Sequence, residues 1–532
     1  MITLLRPGAS RQVNTSVVTA VVCIALGAVA AAMASLNVAL PDLARSTGAT
    51  QTQLEWITDG YSLIFAALLL PAGALGDRFG RRRALLAGLV IFGGASAAAM
   101  TASSANELIG LRGLIGLGAA LVMPATLSTI TGTFPPAQRT RAVSVWAAVA
   151  GGSALLGLLG TGTLLEWFSW RSAFAVNVVL AVIAIAGTIG FVPESSHPDA
   201  PPLDKVGALL AMAGLIALVF SIIEAPEAGW GSARTLGGVG GGLAILAVFA
   251  GWELRAAHPM LDPRHFRNRR LSAGSLSIFI QFFAFFGFTF VALQYLQGVR
   301  GDSPLAAALS VLPLSAAMMP TARITPRLTA RFSARTVSIT GLVLVAAGLT
   351  VISRVGTGSP YWLLLAGLIP LGIGMGAAMT PATAAITEGL PAEQQGVGSA
   401  LNDLSREVGG ALGIAVIGSI VTAVYRANLQ LAGVPAGLAD KARGSFALAI
   451  HAGGPVKATA STAFVDGIHT GLLYAAAAAL LAAITVAVLL PGRARGRRPA
   501  PREDQSLSLV APARTAALAA APAAAAQRRA TS

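Results

Sequence analysis

The segment Gly73-Ala74-Leu75-Gly76-Asp77-Arg78-Phe79-Gly80-Arg81-Arg82-Arg83 joins two apolar runs, 56–75 and 84–103. About 20 mostly apolar residues suffice to carry a helix across the hydrocarbon core of a bilayer. The glycines at 73, 76 and 80 permit a tight turn and a close approach of two helices. Asp77 is placed to accept from a helix N-terminus or to pair with an arginine, and Arg81, Arg82 and Arg83 anchor the turn on the cytoplasmic side. A plain basic stop signal would account for the arginines but not for the spacing Gly-x-x-x-Asp-Arg-x-Gly.

Apolar runs of the same kind recur along the chain. Fourteen spans are expected, at 17–40, 56–75, 84–103, 108–131, 142–165, 172–192, 205–223 and 235–253, then 271–297, 304–322, 336–353, 361–386, 397–424 and 467–490. The least regular are 235–253, which is glycine-rich, and 304–322, which carries Pro313 and Pro320. With the N-terminus in the cytoplasm, most of the 37 Lys and Arg residues fall on the cytoplasmic side, which supports both that orientation and an even number of spans. The loop around Glu388 and Glu393 has no basic residue and is an exception.

Composition agrees. Of 532 residues, 55% are hydrophobic and only 11% charged, with a mean hydropathy of +0.72. A soluble chain keeps about a quarter of its residues charged. The net charge of +15 sits between apolar runs, where it meets lipid headgroups, so a nucleic-acid partner is not expected. The first run is too long for a signal peptide and ends in Asn37-Val-Ala-Leu-Pro41, with no small-residue cleavage site.

Several chemistries find no support. The single cysteine, Cys23, permits no internal disulfide and no cysteine metal cluster. The absence of any Gly-Lys dipeptide excludes a Walker A phosphate loop. The five histidines (His197, His258, His265, His451 and His469) form no zinc motif, and no Gly-x-Ser-x-Gly elbow occurs. The glycine run 237–242 lies inside an apolar segment and reads as close helix packing. Nothing nominates an enzyme, a metal or an organic cofactor.

A second basic turn, Pro326-Arg-Leu-Thr-Ala-Arg-Phe-Ser-Ala-Arg335, falls between spans 10 and 11 as the first falls between spans 2 and 3. Two six-span halves are therefore expected, with spans 7 and 8 inserted between them. The expected division is an N-tail 1–15, a first half 16–192, an insertion 193–255, a second half 256–490 with a long outer loop 425–466, and a disordered basic tail 491–532. No structure is assigned to the outer loop.

Ionisable residues inside spans are costly and by default functional. Arg112 lies in span 4, within Leu108-Ile-Gly-Leu-Arg-Gly-Leu-Ile-Gly116. Asp59 lies about one turn into span 2 from the same side, at a similar depth, and a pair between them is expected. Such a pair either takes part in proton transfer or only fixes helix packing; Arg112 could also reach the outer headgroups. In span 13, Asp403, Arg406 and Glu407 stand at i, i+3 and i+4 beside Asn402, so the three charges share one face and should line the bundle interior.

The turn at 73–83 resembles the signature loop of the major facilitator superfamily, and Arg112 stands where that family carries a span 4 arginine. The start of span 13, the stretch 258–268 and Asn37 to Pro41 are similar to the fourteen-span drug:proton antiporter branch of the EmrB/QacA type, up to about residue 490. The resemblance implies an all-α major facilitator fold in a bacterial cytoplasmic membrane, both termini inside. It also implies proton-driven export of small amphipathic compounds by alternating access. A dedicated metabolite carrier and a non-transporting sensor on the same fold are the alternatives.

By the same resemblance, Gly73, Gly76, Asp77, Arg78, Gly80, Arg81 and Arg82 form a gate in which Asp77 braces against the start of span 13, near 396–399. Asp59, Arg112, Asn402, Asp403, Arg406 and Glu407 serve coupling or the cavity, and protons are the coupling ion. Gly157, Gly160 and Gly162 hold the place of the span 5 antiporter motif, without its proline. Ala32 stands where many relatives carry an aspartate, a role that Asp59 would take.

Overall fold

The computed structural model describes residues 14–196, 203–390 and 395–490. The first 13 residues, His197, Glu393 and the basic tail 491–532 with its arginines lie outside the described residues. Fourteen helices are long and apolar enough to cross a membrane, as expected, and no strand occurs among the described residues.

Apolar runs locate the spans but understate their length, because caps and buried polar groups set the ends. Span 1 is Thr15–Thr47: Asn14 caps its start through Val17 N, and Gly48 ends it at φ 70°. It continues through Pro41, which is buried with Asn37. Span 2 is Gln51–Phe79 and begins at a reciprocal capping box between Thr50 and Gln53. This earlier start brings Glu55 inside the helix.

Spans 3 to 6 are Arg81–Ala99, Ala105–Thr133, Pro136–Leu164 and Arg171–Phe191. Spans 7 and 8 are Lys205–Ile223 and Ala233–Glu253, joined through a short helix, Ala225–Ala228. Span 9 is Arg269–Gln294 and runs on into a π turn, Tyr295–Val299. Span 10 breaks at Val311, two residues before Pro313, into Pro304–Ser310 and Leu312–Phe332. Spans 11 and 12 are Ala334–Ile352 and Tyr361–Glu388.

Span 13 is Gln395–Asn428, and span 14 is Gly454–Leu489, starting 13 residues before its apolar run. The segment between them holds two further helices, Ala436–Gly444 and Phe446–His451. They are fastened by apolar anchors: Phe446 stacks on Phe464 at 3.9 Å, and Tyr425 donates its hydroxyl to Ala442 O at 2.6 Å. The sequence carried no periodic signal for this, since the anchoring is tertiary.

Packing follows a recurring plan. Span 2 pairs with 4, 3 with 4 and 6, and 1 with 5 and 6; span 10 pairs with 12, 11 with 12 and 14, and 9 with 13 and 14. Small residues set the distances. A Cβ on Gly116 would lie 2.5 Å from Tyr61 O, and one on Gly157 2.5 Å from Ala31 O. On Gly413 it would collide with the Phe283 carbonyl.

Two seams, besides a smaller contact of span 1 with span 9, join these sets of spans. Span 2 meets span 13, and span 5 meets the first segment of span 10. Spans 7 and 8 pack on each other, and span 7 also touches spans 2 and 13.

Candidate functional site

The basic turn defines one end of the bundle, called here the turn end; the opposite end is the far end. Gly80 sits at φ +115°, a conformation open to glycine and strained for other residues. Asp77 Oδ1 accepts from Arg81 Nε at 2.8 Å, one helical turn away across the bend. Arg81 is nearly buried and lies so close to span 4 that a Cβ on Gly132 would run into its guanidinium. Gly73 packs against Pro124, and Gly76 against Ala84.

Glu194, just after span 6, ties the turn down, and sequence reasoning missed it. Its carboxylate accepts from Arg82 N at 3.1 Å and pairs with Arg83 Nε at 3.6 Å. Arg82 also donates to Ile189 O at 2.7 Å, whereas Arg78 is exposed and lies against Phe79.

Beside the turn is a cavity of about 690 Å³. Gly73, Asp77 and Arg81 line one side; Val397, Ser399 and Asp403 of span 13 line the other. Asp77 is therefore engaged by Arg81 and faces span 13 across the cavity. Among the described residues, Asp77 makes no hydrogen bond to the start of span 13, so the expected brace near 396–399 is not made in this conformation. Leu69, Met123, Leu127 and Trp146 give the cavity a largely apolar wall, and His258 to Leu261 close one flank.

Deeper in, Asp59 is fully buried and neither carboxylate oxygen has a hydrogen-bond partner. Arg112 is buried as well, but it does not pair with Asp59. Its Nε donates to Ile57 O at 2.8 Å and its guanidinium lies over the Tyr61 ring at 4.5 Å. Equal depth on two helices did not make a pair, because the guanidinium turns to a backbone carbonyl and an aromatic face. Tyr61 in turn donates to Val29 O at 3.0 Å, linking span 4 to span 1 through span 2.

On span 13, Asn402 Oδ1 accepts from Thr383 at 3.1 Å. Asp403 is half-buried at the cavity. Arg406 lies over Phe282 at 5.0 Å with Met379 Sδ at 3.7 Å, and Glu407 is buried with Oε2 unpartnered. In span 1, Asn37 Oδ1 is likewise buried and unpartnered. In span 5, Gly157 meets span 1 and Gly162 meets Pro304 and Leu305 of span 10, while Gly160 faces open space.

The far end of the span 2–13 seam is shut. Glu55, fully buried, accepts from Thr422 Oγ1 at 2.7 Å and from Ser419 Oγ at 3.3 Å. A Cβ on Gly418 would lie 2.9 Å from the same carboxyl. Glu55 escaped the sequence reading because the apolar run begins at Trp56; its position one turn before Asp59 was the available signal. The bundle thus has one end gathered around a carboxylate and the other parted by a cavity.

Residues 22–414 match the family model described as Major Facilitator Superfamily. The chain belongs to the major facilitator superfamily. Among curated relatives of this facilitator, the "Multidrug efflux pump LfrA" of Mycolicibacterium smegmatis is 34% identical over 85% of this chain and 92% of its own length. The "Methyl viologen resistance protein SmvA" of Salmonella typhimurium is 32% identical over 86% and 92%. Among solved structures, a bacterial homologue of the human lysosomal transporter Spinster, inward-facing and unoccupied, superposes with a TM-score of 0.65 at 16% identity, over 90% of this chain and 98% of that one. At that identity the likeness concerns the fold. The facilitator is a multi-pass membrane transporter of small molecules.

Proposed function

We propose that this facilitator exports small amphipathic organic compounds across a bacterial cytoplasmic membrane by alternating access, driven by the proton gradient. The unequal closure of the span 2–13 seam carries the reading. An apolar cavity edged by Asp77 and Asp403 opens at the turn end, while Glu55, Ser419 and Thr422 seal the far end. A site reachable from one end at a time is what alternating access requires. The turn end then faces the cytoplasm together with both termini. The names of the relatives, resistance and efflux proteins, favour export of drug-like compounds.

Asp59, Glu55 and Glu407 are the proton-carrying candidates. Each is a carboxylate buried in a span with no ion-pair partner within 4 Å among the described residues, and such groups mark proton pathways. Arg112 acts on the packing of spans 2 and 4. No cofactor beyond the proton is needed.

Acidified everted vesicles should lose ΔpH on addition of compounds from a dye and drug panel. Asp59→Asn should insert normally and lose that response. A panel without any effect on the wild type removes multidrug antiport, and unimpaired efflux in Asp59→Asn moves coupling to Glu55 or span 13.

A further inference from the structure

The bundle has two seams, span 2 against 13 and span 5 against 10, but the inserted spans cover only the first. Span 7 fills the groove between spans 2 and 13. Leu218, Val219 and Ile222 form one apolar cluster with Leu63 of span 2 and Ala415 of span 13, separate from the main core. Trp56 of span 2 lies against Phe220 at 5.6 Å. A helix seated in a groove between two bodies holds them together only while the groove keeps its width.

The last turn of span 7 and the connector after it continue the contact in polar form. Ile222 O accepts from Ser419 at 2.8 Å, and Glu224 from Trp56 Nε1 at 3.2 Å. Glu227 Oε1, on the short helix Ala225–Ala228, accepts from Thr52 at 2.9 Å and from Arg426 at 2.8 Å. One carboxylate oxygen thus ties span 2 to span 13. We propose that the connector between spans 7 and 8 is a clasp that holds the far end of the span 2–13 seam shut and must let go of one of these spans before that end can open. The inserted pair thereby sets the balance between the two transport states. Arg426, Thr52 and Glu227 are positioning residues for the cycle, with Glu55 shut beneath them.

The inference rests on the alternating-access reading, but its test needs neither substrate nor a proton gradient. Spin labels at Thr101→Cys and Thr357→Cys, exposed on far-end loops of the two sets of spans, report that opening. Cys23→Ser removes the single native thiol. In lipid nanodiscs, pulsed dipolar spectroscopy on the full chain should give mainly the short distance. Glu227→Gln and Arg426→Gln should each enlarge the long-distance population about threefold, the shift expected when a partly exposed pair is lost. The swap Glu227→Arg with Arg426→Glu should return it toward the wild-type value.

Unchanged distances in both single variants overturn the clasp. So does a swap whose long-distance population equals or exceeds that of the single variants. Wild-type protein that carries substrate without proton coupling would contradict the proposed driving force while leaving this test standing.

Discussion

Glu55 on span 2 accepts a 2.7 Å hydrogen bond from Thr422 on span 13, across 367 residues of sequence, and both side chains are buried. The contact is made at the end opposite the cavity, and in the proposed alternating-access cycle it breaks when the far end opens. Both Glu55 oxygens act as acceptors, and two hydroxyls from the other side of the seam, those of Thr422 and Ser419, supply the donors.

Glu55→Gln retains the acceptor oxygen for Thr422 and removes the titrating group. The variant is expected to insert and remain monodisperse while proton-driven export falls at least about tenfold, the effect expected if Glu55 shares a proton pathway with Asp59. Thr422→Val removes the donor and keeps the acid, so export should fall less. Equal and full activity of both variants in everted vesicles would remove Glu55 from the cycle.

Arg112 combines a hydrogen bond to Ile57 O with a stacked contact on Tyr61. Lysine cannot supply the planar face, so Arg112→Lys is expected to cost about 2 kcal/mol. Tyr61→Phe keeps the ring and loses only the bond to Val29 O, so it should cost about 1 kcal/mol. Thermal unfolding in detergent with a fluorescent reporter ranks the two; the reverse order would contradict the stacking argument.

Gly116 has the Tyr61 carbonyl where a Cβ would go, whereas Gly110, six residues earlier on the same helix, has nothing within 4 Å. Gly116→Ala should therefore destabilise by about 1–3 kcal/mol through separation of spans 2 and 4. Gly110→Ala should be neutral or slightly stabilising. Equal melting temperatures for the pair would show that the spans adjust freely.

Glu227 lies outside the spans. Burial pushes its carboxyl up, but the bonds from Arg426 and Thr52, with the arginine's charge, outweigh that and hold it below the ordinary carboxylate value. The other charged groups in this region are Glu224 on the same connector and Glu55 beneath it. A depressed folded value means the stabilisation is full above the unfolded carboxylate range and is lost as pH falls through the lower folded value. The melting temperature of the wild type should therefore exceed that of Glu227→Gln at pH 7, and the difference should vanish in strong acid. A constant difference across the titration would assign the effect to packing.

The membrane class, the number of spans and the basic turn were legible in the sequence, because hydropathy and charge placement are local properties that a bilayer enforces along the chain. So were Asp59, Arg112 and Glu407 as residues that an apolar span does not tolerate without reason. The partners were not legible. Asp59 and Arg112 share a depth but not an azimuth and rotamer that bring them together, and the guanidinium finds Tyr61 and Ile57 O. Asp77 was expected against span 13, yet which end of the seam is parted is a property of the conformation.

The sequence by itself determined that this chain carries fourteen helices long and apolar enough to cross a bilayer, with a glycine-hinged basic turn after span 2, since apolar runs in lipid satisfy their backbone groups by forming helices. Only the tertiary structure decided that Glu55 closes one end of the span 2–13 seam, that a cavity holds the other apart, and that span 7 packs on this seam and not on that between spans 5 and 10. Those facts depend on helix rotation and on contacts between residues hundreds of positions apart, and neither leaves a periodic trace in the order of amino acids.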